Sequence, residues 1–278
     1  MTIKQFVQLA ILEDIKEGDH SALACIPKSS YGKAKLLIKE NGILAGVNIA
    51  EQIFKEFDSS FEFTKLINDG QKVDKGDVAF TIHGPSITLL SAERLVLNVM
   101  QRMSAIATLT NKYVKALDGL NTKVLDTRKT TPLIRFLEKE AVKIGGGVNH
   151  RYGLYDMIML KDNHNDFAGG IENSINKTIQ YLRENNLNLK IEVETRNIEE
   201  VKEVLKVGNI DRIMLDNFNY EDMRKAIKLI DGKYETEASG GINLQTVRKY
   251  AECGVDFVSI GALTHSVCNM DLSLKAIK

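Results

Sequence analysis

The densest group of basic side chains in the sequence lies between residues 128 and 161, and anion binding is the chemistry that it suggests. Its members are Arg128, Lys129, His150, Arg151 and Lys161. Arginine can hold a carboxylate through two parallel hydrogen bonds, whereas lysine acts as a point charge. Basic residues usually lie on a solvated surface, but Arg128 and Lys161 directly adjoin apolar runs, where the chain is least free to turn outward. The cluster therefore favours a polyanionic ligand, with His150 as a structural residue or hydrogen-bond donor rather than a general base.

Two glycine-rich turns later in the chain are suited to a phosphate group. They are Ser239-Gly240-Gly241 and Gly261-Ala262, each at the end of a β-branched or apolar run. A glycine-rich turn that enters a helix exposes backbone N–H groups to an anion, and the helix dipole adds to the attraction. Either turn alone could simply cap a helix. Their equivalent positions after consecutive runs favour a phosphate site.

Two acidic residues, Glu194 and Asp216, stand out among these basic groups. They could anchor magnesium carried by a phosphorylated substrate, or they could stabilise positive charge that develops during a reaction. The structural alternative is a salt bridge to a neighbouring arginine or lysine, and the same carboxylate could do both.

Short β-branched runs position these groups, and helical stretches such as Ile198–Val207 and Leu244–Cys253 separate them. The runs are Lys123–Asp126, Met157–Lys161, Lys190–Thr195, Arg212–Asp216, Tyr234–Ser239 and Phe257–Ile260. This alternation predicts parallel strands joined by right-handed crossovers. A complete eight-unit barrel needs about 250 residues, so we predict a reduced parallel β/α barrel of about six strands rather than an open doubly wound sheet. The polar groups would then meet at its active-site face.

The first hundred residues have a different pattern. Four short strands, separated by Gly, Asp and Asn turns, are predicted at Lys33–Lys39, Gly42–Val47, Phe61–Asn68 and Asp77–His83. They indicate an N-terminal α+β open-sandwich domain with an antiparallel sheet, and Ser86–Leu117 reads as a long linking helix. We predict an N-terminal domain at 1–110 and a catalytic barrel at 111–265, with 266–278 packing back on the first domain.

Composition excludes several functional classes. The 278 residues include 37 basic and 37 acidic side chains, so no global field attracts nucleic acid or a membrane. No apolar stretch approaches the roughly 20 residues that span a bilayer, and the start shows no secretory signal. The three cysteines are widely spaced and form no CxxC pair, which argues against a disulfide framework or zinc site. We therefore expect a soluble cytoplasmic protein.

Several long motifs closely resemble those of the quinolinate phosphoribosyltransferase family, also called nicotinate-nucleotide pyrophosphorylase (carboxylating). The motifs are Asp126–Pro132, Gly145–Gly153, Ile191–Glu194, Ala238–Ile242 and Ser259–His265, together with Glu13–Asp19, Ala92–Asn98 and Gln101–Ser104. The resemblance runs almost end to end. Two positions depart from the family pattern, since Leu133 and Ala105 stand where glycine is more usual.

The resemblance implies the reaction of quinolinate with phosphoribosyl pyrophosphate and Mg²⁺, which gives nicotinate mononucleotide, CO2 and pyrophosphate in de novo NAD synthesis. It assigns quinolinate binding to Arg102, Thr127, Arg128, His150, Arg151 and Lys161. It assigns phosphate binding to Lys129, Ser239, Gly240, Gly241, Ile260, Gly261 and Ala262. The implied catalytic residues are Glu194, Asp216 and Lys129, and the first two of these are also candidate metal ligands. Loss of pyrophosphate leaves positive charge on the ribose, which Glu194 and Asp216 would stabilise.

The resemblance also implies a homodimer, or a hexamer built from dimers, in which Arg102 acts across the interface. Two alternatives stay open on the sequence. One is a related phosphoribosyltransferase acting on another anionic ring, such as the molybdenum-operon homologue or a nicotinate-using enzyme. The other is a phosphate-binding barrel without catalysis. The complete basic set favours a dicarboxylate, and the presence of both Glu194 and Asp216 favours an enzyme.

Overall fold

A computed structural model describes residues 1–277, and the backbone divides into two compact units. The first unit comprises Met1–Asn111, Thr130–Gly146 and the chain from Leu263 onward. The second comprises Lys112–Lys129 and Gly147–Ala262. The segment Thr130–Gly146 therefore clusters with the first unit, although it lies within the sequence range proposed for the barrel. No helix within residues 1–277 is long and apolar enough to cross a membrane.

The structure contains both helices and strands throughout its length. The helices are α1 Ile3–Asp14, α2 His20–Cys25, α3 Val47–Phe57, α4 Ser86–Ala116, α5 Arg135–Ile144, α6 Asp162–Ala168, α7 Ile171–Glu184, α8 Ile198–Val207, α9 Tyr220–Ile230, α10 Val247–Ala251 and α11 Ala262–His265. The strands are β1 Tyr31–Ile38, β2 Gly42–Ile43, β3 Glu62–Lys65, β4 Lys72–Val73, β5 Val78–Pro85, β6 Lys123–Leu125, β7 Ile158–Leu160, β8 Ile191–Thr195, β9 Arg212–Asp216, β10 Glu235–Ser239, β11 Phe257–Ser259 and β12 Leu272–Ile277.

The first unit contains the antiparallel sheet that the sequence predicts, in the order β12-β1-β5-β3. Alternate residues of β1, namely Ala34, Leu36 and Ile38, are buried, as expected for a sheet with one face on the core. The last strand, β12, pairs with β1. Residues 272–277 are therefore part of this sheet.

One predicted strand of the first unit is wrong over most of its length. Only Gly42–Ile43 of the range Gly42–Val47 is a strand, and helix α3 begins at Val47. Val47, Ala50 and Phe54 of this helix are buried, and their spacing of three and four residues is helical. A short apolar run followed by glycine resembles a strand unless the helical spacing that follows is given weight.

The six parallel strands of the second unit lie in the order β6-β11-β10-β9-β8-β7, which confirms the reduced barrel. From β7 to β11, each strand pairs with the next one in the chain, and the last strand, β11, also pairs with the first, β6. A doubly wound sheet would instead place its first strand near the middle. The strands β6 and β7 are the two edges of the sheet, and an isolated bridge from Leu125 to Val148 extends the ladder beyond β6.

Candidate active site

A cavity of about 350 Å³ lies among the strand ends of the second unit. It is lined by Thr127, Arg128, Lys129, His150, Arg151, Met159, Lys161, Met214, Glu237, Ser239 and Ser259. The parallel strands direct their carboxyl ends to one face, so side chains far apart in the sequence meet there. Seven of the residues singled out from the sequence line this cavity, among them every member of the basic cluster.

The cations of the cavity are close enough to affect one another. Burial lowers the pKa of Arg151, and the positive charge of Arg128 lowers it further. The Arg151 guanidinium also donates to the carbonyl of Met157 at 3.3 Å, which limits its orientation. Two like charges held beside a cavity are unfavourable when it holds only water. A bound dianion would relieve this repulsion.

A buried group of charged side chains includes two residues of the cavity lining, His150 and Glu237. His150 Nε2 lies 3.0 Å from Glu192 Oε2 and 3.1 Å from Glu237 Oε2. Arg212 Nη1 lies 3.1 Å from the same Glu237 oxygen, and its guanidinium stacks 4.2 Å from the ring centre of Phe257. Since the side chains of His150, Glu192 and Glu237 are at most 4% exposed, these charges have to compensate one another within the protein.

The pKa values of this group follow from burial and mutual pairing. Burial lowers the pKa of His150, but its hydrogen bonds to Glu192 and Glu237 raise it by more, to about 9. Burial and the charge of Glu237 raise the pKa of Glu192 to about 7. Burial raises the pKa of Glu237, and the larger combined effect of His150 and Arg212 lowers it below its usual range. The backbone nitrogen of Arg151 lies 2.6 Å from His150 Nδ1, and His150 Nε2 faces the two carboxylates.

Glu192, Arg212 and Glu237 are not among the functional residues expected from the sequence. A signal was present, since β8 has Glu192 and Glu194, and β10 has Glu235, Glu237 and Ser239, at every second position. Strands of a parallel sheet are normally apolar on both faces. Charged residues with a period of two in such strands indicate that one face lines a polar interior.

The two acidic residues predicted to be catalytic follow neighbouring strands. Glu194 pairs in the ladder with Met214, and Asp216 comes two residues further along β9 on the same side. Lys161 Nζ lies 2.6 Å from Glu194 Oε2, so the salt bridge considered as a structural alternative is present. The carboxylate of Asp216 accepts from the side-chain amide of Asn217 at 2.6 Å and is partly exposed.

The first glycine turn requires its glycines for steric reasons. Gly240 has a φ of +100°, and a Cβ added to it would lie 2.1 Å from Oδ1 of Asn217. No helix follows this turn directly. The sequence predicts a helix from Leu244, whereas α10 begins at Val247. Of its three residues, Ser239 lines the cavity, and this residue is the ladder partner of Asp216.

The second predicted phosphate turn lies at the end of β11. The N–H of Ile260 donates to the carbonyl of Leu125 at 3.0 Å, so it stabilises the β6–β11 edge. Gly261 follows, and Ala262 begins the four-residue helix α11. Neither residue is among those that line the cavity described above.

The loop after β6 has a left-handed residue at a position where the chain departs from the family pattern. Leu133 has a φ of +67° and is 70% exposed. This left-handed conformation costs a non-glycine residue about 1–2 kcal/mol, which explains why glycine is more usual there. Ala105, the other departure, is buried in α4 without a positive φ.

Arg102 is the one predicted quinolinate ligand that lies in the first unit. Its guanidinium contacts Glu138 Oε1 through Nε at 3.0 Å and through Nη2 at 2.8 Å. It also donates to the backbone carbonyls of Thr264 and Val267. The side chain is 21% exposed and also borders an apolar groove of the first unit that contains Phe6, Leu9 and Leu133.

Comparisons with known proteins cover nearly the whole chain. The family model described as "Quinolinate phosphoribosyl transferase, C-terminal domain" matches residues 106–275, and the corresponding N-terminal domain model matches residues 19–104. A mitochondrial quinolinate phosphoribosyltransferase (decarboxylating) 2 of Nicotiana glauca is 45% identical, over 98% of this chain and 82% of the relative. A probable nicotinate-nucleotide pyrophosphorylase (carboxylating) of Bacillus subtilis is 40% identical, over 99% and 93%. The crystal structure of NadC from Streptococcus pyogenes has a TM-score of 0.93 at 37% identity, covering 99% of this chain and 97% of that one.

Proposed function

Because the chain belongs to the quinolinate phosphoribosyltransferase family, we propose that it transfers the phosphoribosyl group of phosphoribosyl pyrophosphate to quinolinate. The products are nicotinate mononucleotide, CO2 and pyrophosphate, and the reaction belongs to de novo NAD synthesis. The observation that carries this proposal for the site is the cavity itself, which brings Arg128, Lys129, Arg151 and Lys161 together beside Ser239. Such a lining favours a dicarboxylate and a phosphate ester as ligands.

Quinolinate binds through its two carboxylates in this proposal. Arg128 and Arg151 provide planar forks for them, Lys161 adds a point charge, and Thr127 contributes a hydroxyl. Contacts with the Glu192 and Glu237 carboxylates hold His150 in place. Its imidazole is therefore a fixed part of the pocket lining. Fixing both carboxylates leaves the ring nitrogen oriented for attack on the ribose.

The ribose phosphate of the second substrate binds at the glycine turns, with Ser239, Gly240 and Gly241 on one side and Ile260, Gly261 and Ala262 on the other. Lys129 approaches the pyrophosphate. As the C1–O bond to pyrophosphate breaks, positive charge develops on the ribose ring, and the carboxylates of Glu194 and Asp216 stabilise it. The pyridine nitrogen then forms the new bond to C1.

Decarboxylation completes the reaction without a protein nucleophile. The electron pair of the breaking bond between C2 and its carboxylate stays on C2, where the adjacent pyridinium charge stabilises it; CO2 leaves, and C2 takes up one proton from solvent. Glu194 and Asp216 also suit Mg²⁺, because this ion is bound in proteins through one or two carboxylates together with substrate phosphates. When bound there, the ion would neutralise charge on the pyrophosphate leaving group.

The function is tested by a product assay on the purified chain. We expect nicotinate mononucleotide to form from quinolinate, phosphoribosyl pyrophosphate and Mg²⁺, and to be lost when EDTA removes the metal. Nicotinate and phthalate are matched probes, because nicotinate lacks one carboxylate and phthalate lacks the nucleophilic nitrogen. We expect phthalate to inhibit competitively. Turnover of nicotinate without turnover of quinolinate would contradict the proposal.

The proposed assembly is a homodimer, or a hexamer of such dimers, in which Arg102 of one subunit completes the quinolinate pocket of its partner. Its support is the family resemblance together with the place of Arg102 outside the set of residues that line the cavity. We also propose a cytoplasmic location, consistent with three free cysteines, of which Cys25 and Cys268 are exposed.

Complementation tests the shared site. Arg102→Ala and Asp216→Asn should each reduce activity strongly when alone. Mixing the two variants under conditions that allow subunit exchange should restore up to about a quarter of the wild-type sites, because a hybrid dimer contains one site with both native residues. A mixture of Arg102→Ala with Arg102→Lys serves as the control without complementation. Exchange, shown by differently tagged subunits, without recovered activity would contradict a site shared across the interface.

A further inference from the structure

The carboxylate of Glu138, in the first turn of α5, is a fully buried acceptor for two parts of the first unit. Its Oε1 accepts Nε and Nη2 of Arg102, at 3.0 and 2.8 Å, and the hydroxyl of Thr131 at 2.9 Å. Its Oε2 accepts the backbone N–H of Thr131 at 3.0 Å. A buried carboxylate is stable only when it is paired and hydrogen-bonded in this way. Glu138 is therefore placed to fix both Arg102 and Thr131.

The contacts of Arg102 leave its guanidinium little freedom. Four of its five N–H groups are used, since one from Nε and one from Nη2 reach Glu138, the other from Nη2 reaches the Thr264 carbonyl, and one from Nη1 reaches the Val267 carbonyl. A long arginine side chain normally loses substantial conformational entropy when it binds a ligand. An arginine that is already held in one orientation has lost this conformational entropy before the ligand binds.

The second partner of Glu138 is part of the loop that follows β6. Thr131 comes two residues after Lys129 and three after Arg128. The same loop carries a further internal bond, from Arg135 Nε to the hydroxyl of Thr130 at 2.9 Å. The carboxylate of Glu138 thus anchors both the guanidinium of Arg102 and, through Thr131, the loop that follows β6.

We propose that Glu138 is a positioning residue for quinolinate binding, which acts by holding the Arg102 guanidinium in its binding orientation. The proposal rests on the function proposed above, in which Arg102 is a quinolinate ligand. Glu138 itself does not touch the substrate. Its contribution is to keep the guanidinium ordered and its remaining N–H correctly directed, so its loss weakens quinolinate binding more than it slows the chemical step.

The test compares Glu138→Gln with Glu140→Gln. The first variant keeps the size of the side chain and one carbonyl oxygen but removes the charge that orders Arg102. Glu140 lies on the same helix, is 49% exposed and pairs with Lys143 on the surface, so its variant is a matched control. We expect Glu138→Gln to raise the KM for quinolinate about tenfold or more, since a hydrogen bond to a charged group contributes about 1.5–3 kcal/mol. The KM for phosphoribosyl pyrophosphate and the kcat should change by less than about threefold, and Glu140→Gln should match the wild type.

A double-mutant cycle separates positioning of Arg102 from a merely structural role. In the Arg102→Ala background, Glu138→Gln should produce no further increase in the KM for quinolinate. An undiminished increase in that background would overturn the proposal and assign the effect to Thr131 or to the fold. An unchanged KM in a folded Glu138→Gln single variant would overturn it as well.

A second variant and the activity of the wild type distinguish failure of the positioning role from failure of the proposed function. If Glu138→Gln does not fold, Glu138→Asp retains the charge but shortens the reach by one methylene, and the same KM pattern is expected from it. If the wild-type chain shows no activity with quinolinate, the proposed function fails. If the wild type is active and both Glu138 variants bind quinolinate normally, only the positioning role fails.

Discussion

Replacing Arg128 with alanine should raise the KM for quinolinate by about a hundredfold or more and leave the KM for phosphoribosyl pyrophosphate within about threefold of the wild type. In the proposed complex, the variant lacks a fork that makes two charge-assisted hydrogen bonds to quinolinate, each contributing roughly 1.5–3 kcal/mol. It does not alter the glycine turns at Gly240 and Gly261, which lie on other strands. Steady-state kinetics with each substrate varied in turn measure both constants.

Arg183 provides a matched control for this variant. It is an exposed arginine in the last turn of α7, in the same unit, and Arg183→Ala should leave both constants unchanged. If Arg128→Ala instead abolished binding of phosphoribosyl pyrophosphate alone, the division between carboxylate and phosphate subsites would be wrong. The repulsion between Arg128 and Arg151 adds a second expectation. Arg128→Ala should be no less thermally stable than the wild type when no ligand is bound.

Replacing Glu194 with glutamine should lower kcat by about a hundredfold to a thousandfold. The substitution preserves shape but removes a negative charge that the proposed mechanism places beside the cationic ribose, and the loss of one such preorganised electrostatic contact typically has this effect. Asp216→Asn should act in the same direction. Glu199→Gln is the control, since Glu199 is an exposed carboxylate on α8 of the same unit. Saturating concentrations of both substrates isolate kcat from binding.

The salt bridge between Glu194 and Lys161 makes this variant informative in either outcome. If Glu194 served only to hold Lys161, its replacement would raise the KM for quinolinate and leave kcat nearly intact. A large fall in kcat with a modest change in KM would instead require that the carboxylate acts on the reacting ribose. The proposed mechanism predicts the second pattern.

The barrel could be predicted closely because its strands are short β-branched runs that end in polar residues. The run Arg212–Asp216 and the helix Ile198–Val207 coincide with β9 and α8, and the other five strands differ by one or two residues at their ends. Helix α3 was missed because its start follows a short apolar run that resembles a strand. The start of α10 was placed early, since residues 243–246 form a hydrogen-bonded turn around Asn243 before the helix begins.

The site could be predicted only in part, for physical reasons that differ between its residues. The convergence of Arg128 and Lys161 follows from parallel topology, which places all strand ends on one face. The pairing of Glu192 and Glu237 with His150 could not be derived in the same way. It depends on which face of β8 and β10 points inward, and this is fixed by packing rather than by the local sequence.

The contacts of Glu138 show a second reason why parts of the site could not be predicted from the sequence. Its helix α5 lies next to the basic loop in the sequence, so a contact with Thr131 is local. Its contact with Arg102 joins residues 36 positions apart on two different helices. Spacing along the chain contains no signal for such a pair, because the register between two packed helices is set by their side chains.

The central claim is that the chain joins quinolinate to the ribose and removes one specific carboxylate. It is tested most directly with quinolinate labelled in the carboxylate next to the ring nitrogen. We predict that one labelled CO2 is released for each nicotinate mononucleotide and each pyrophosphate formed, and that the nucleotide contains no label. A labelled nucleotide that retains this carboxylate, or nucleotide formation from nicotinate alone, would contradict the account.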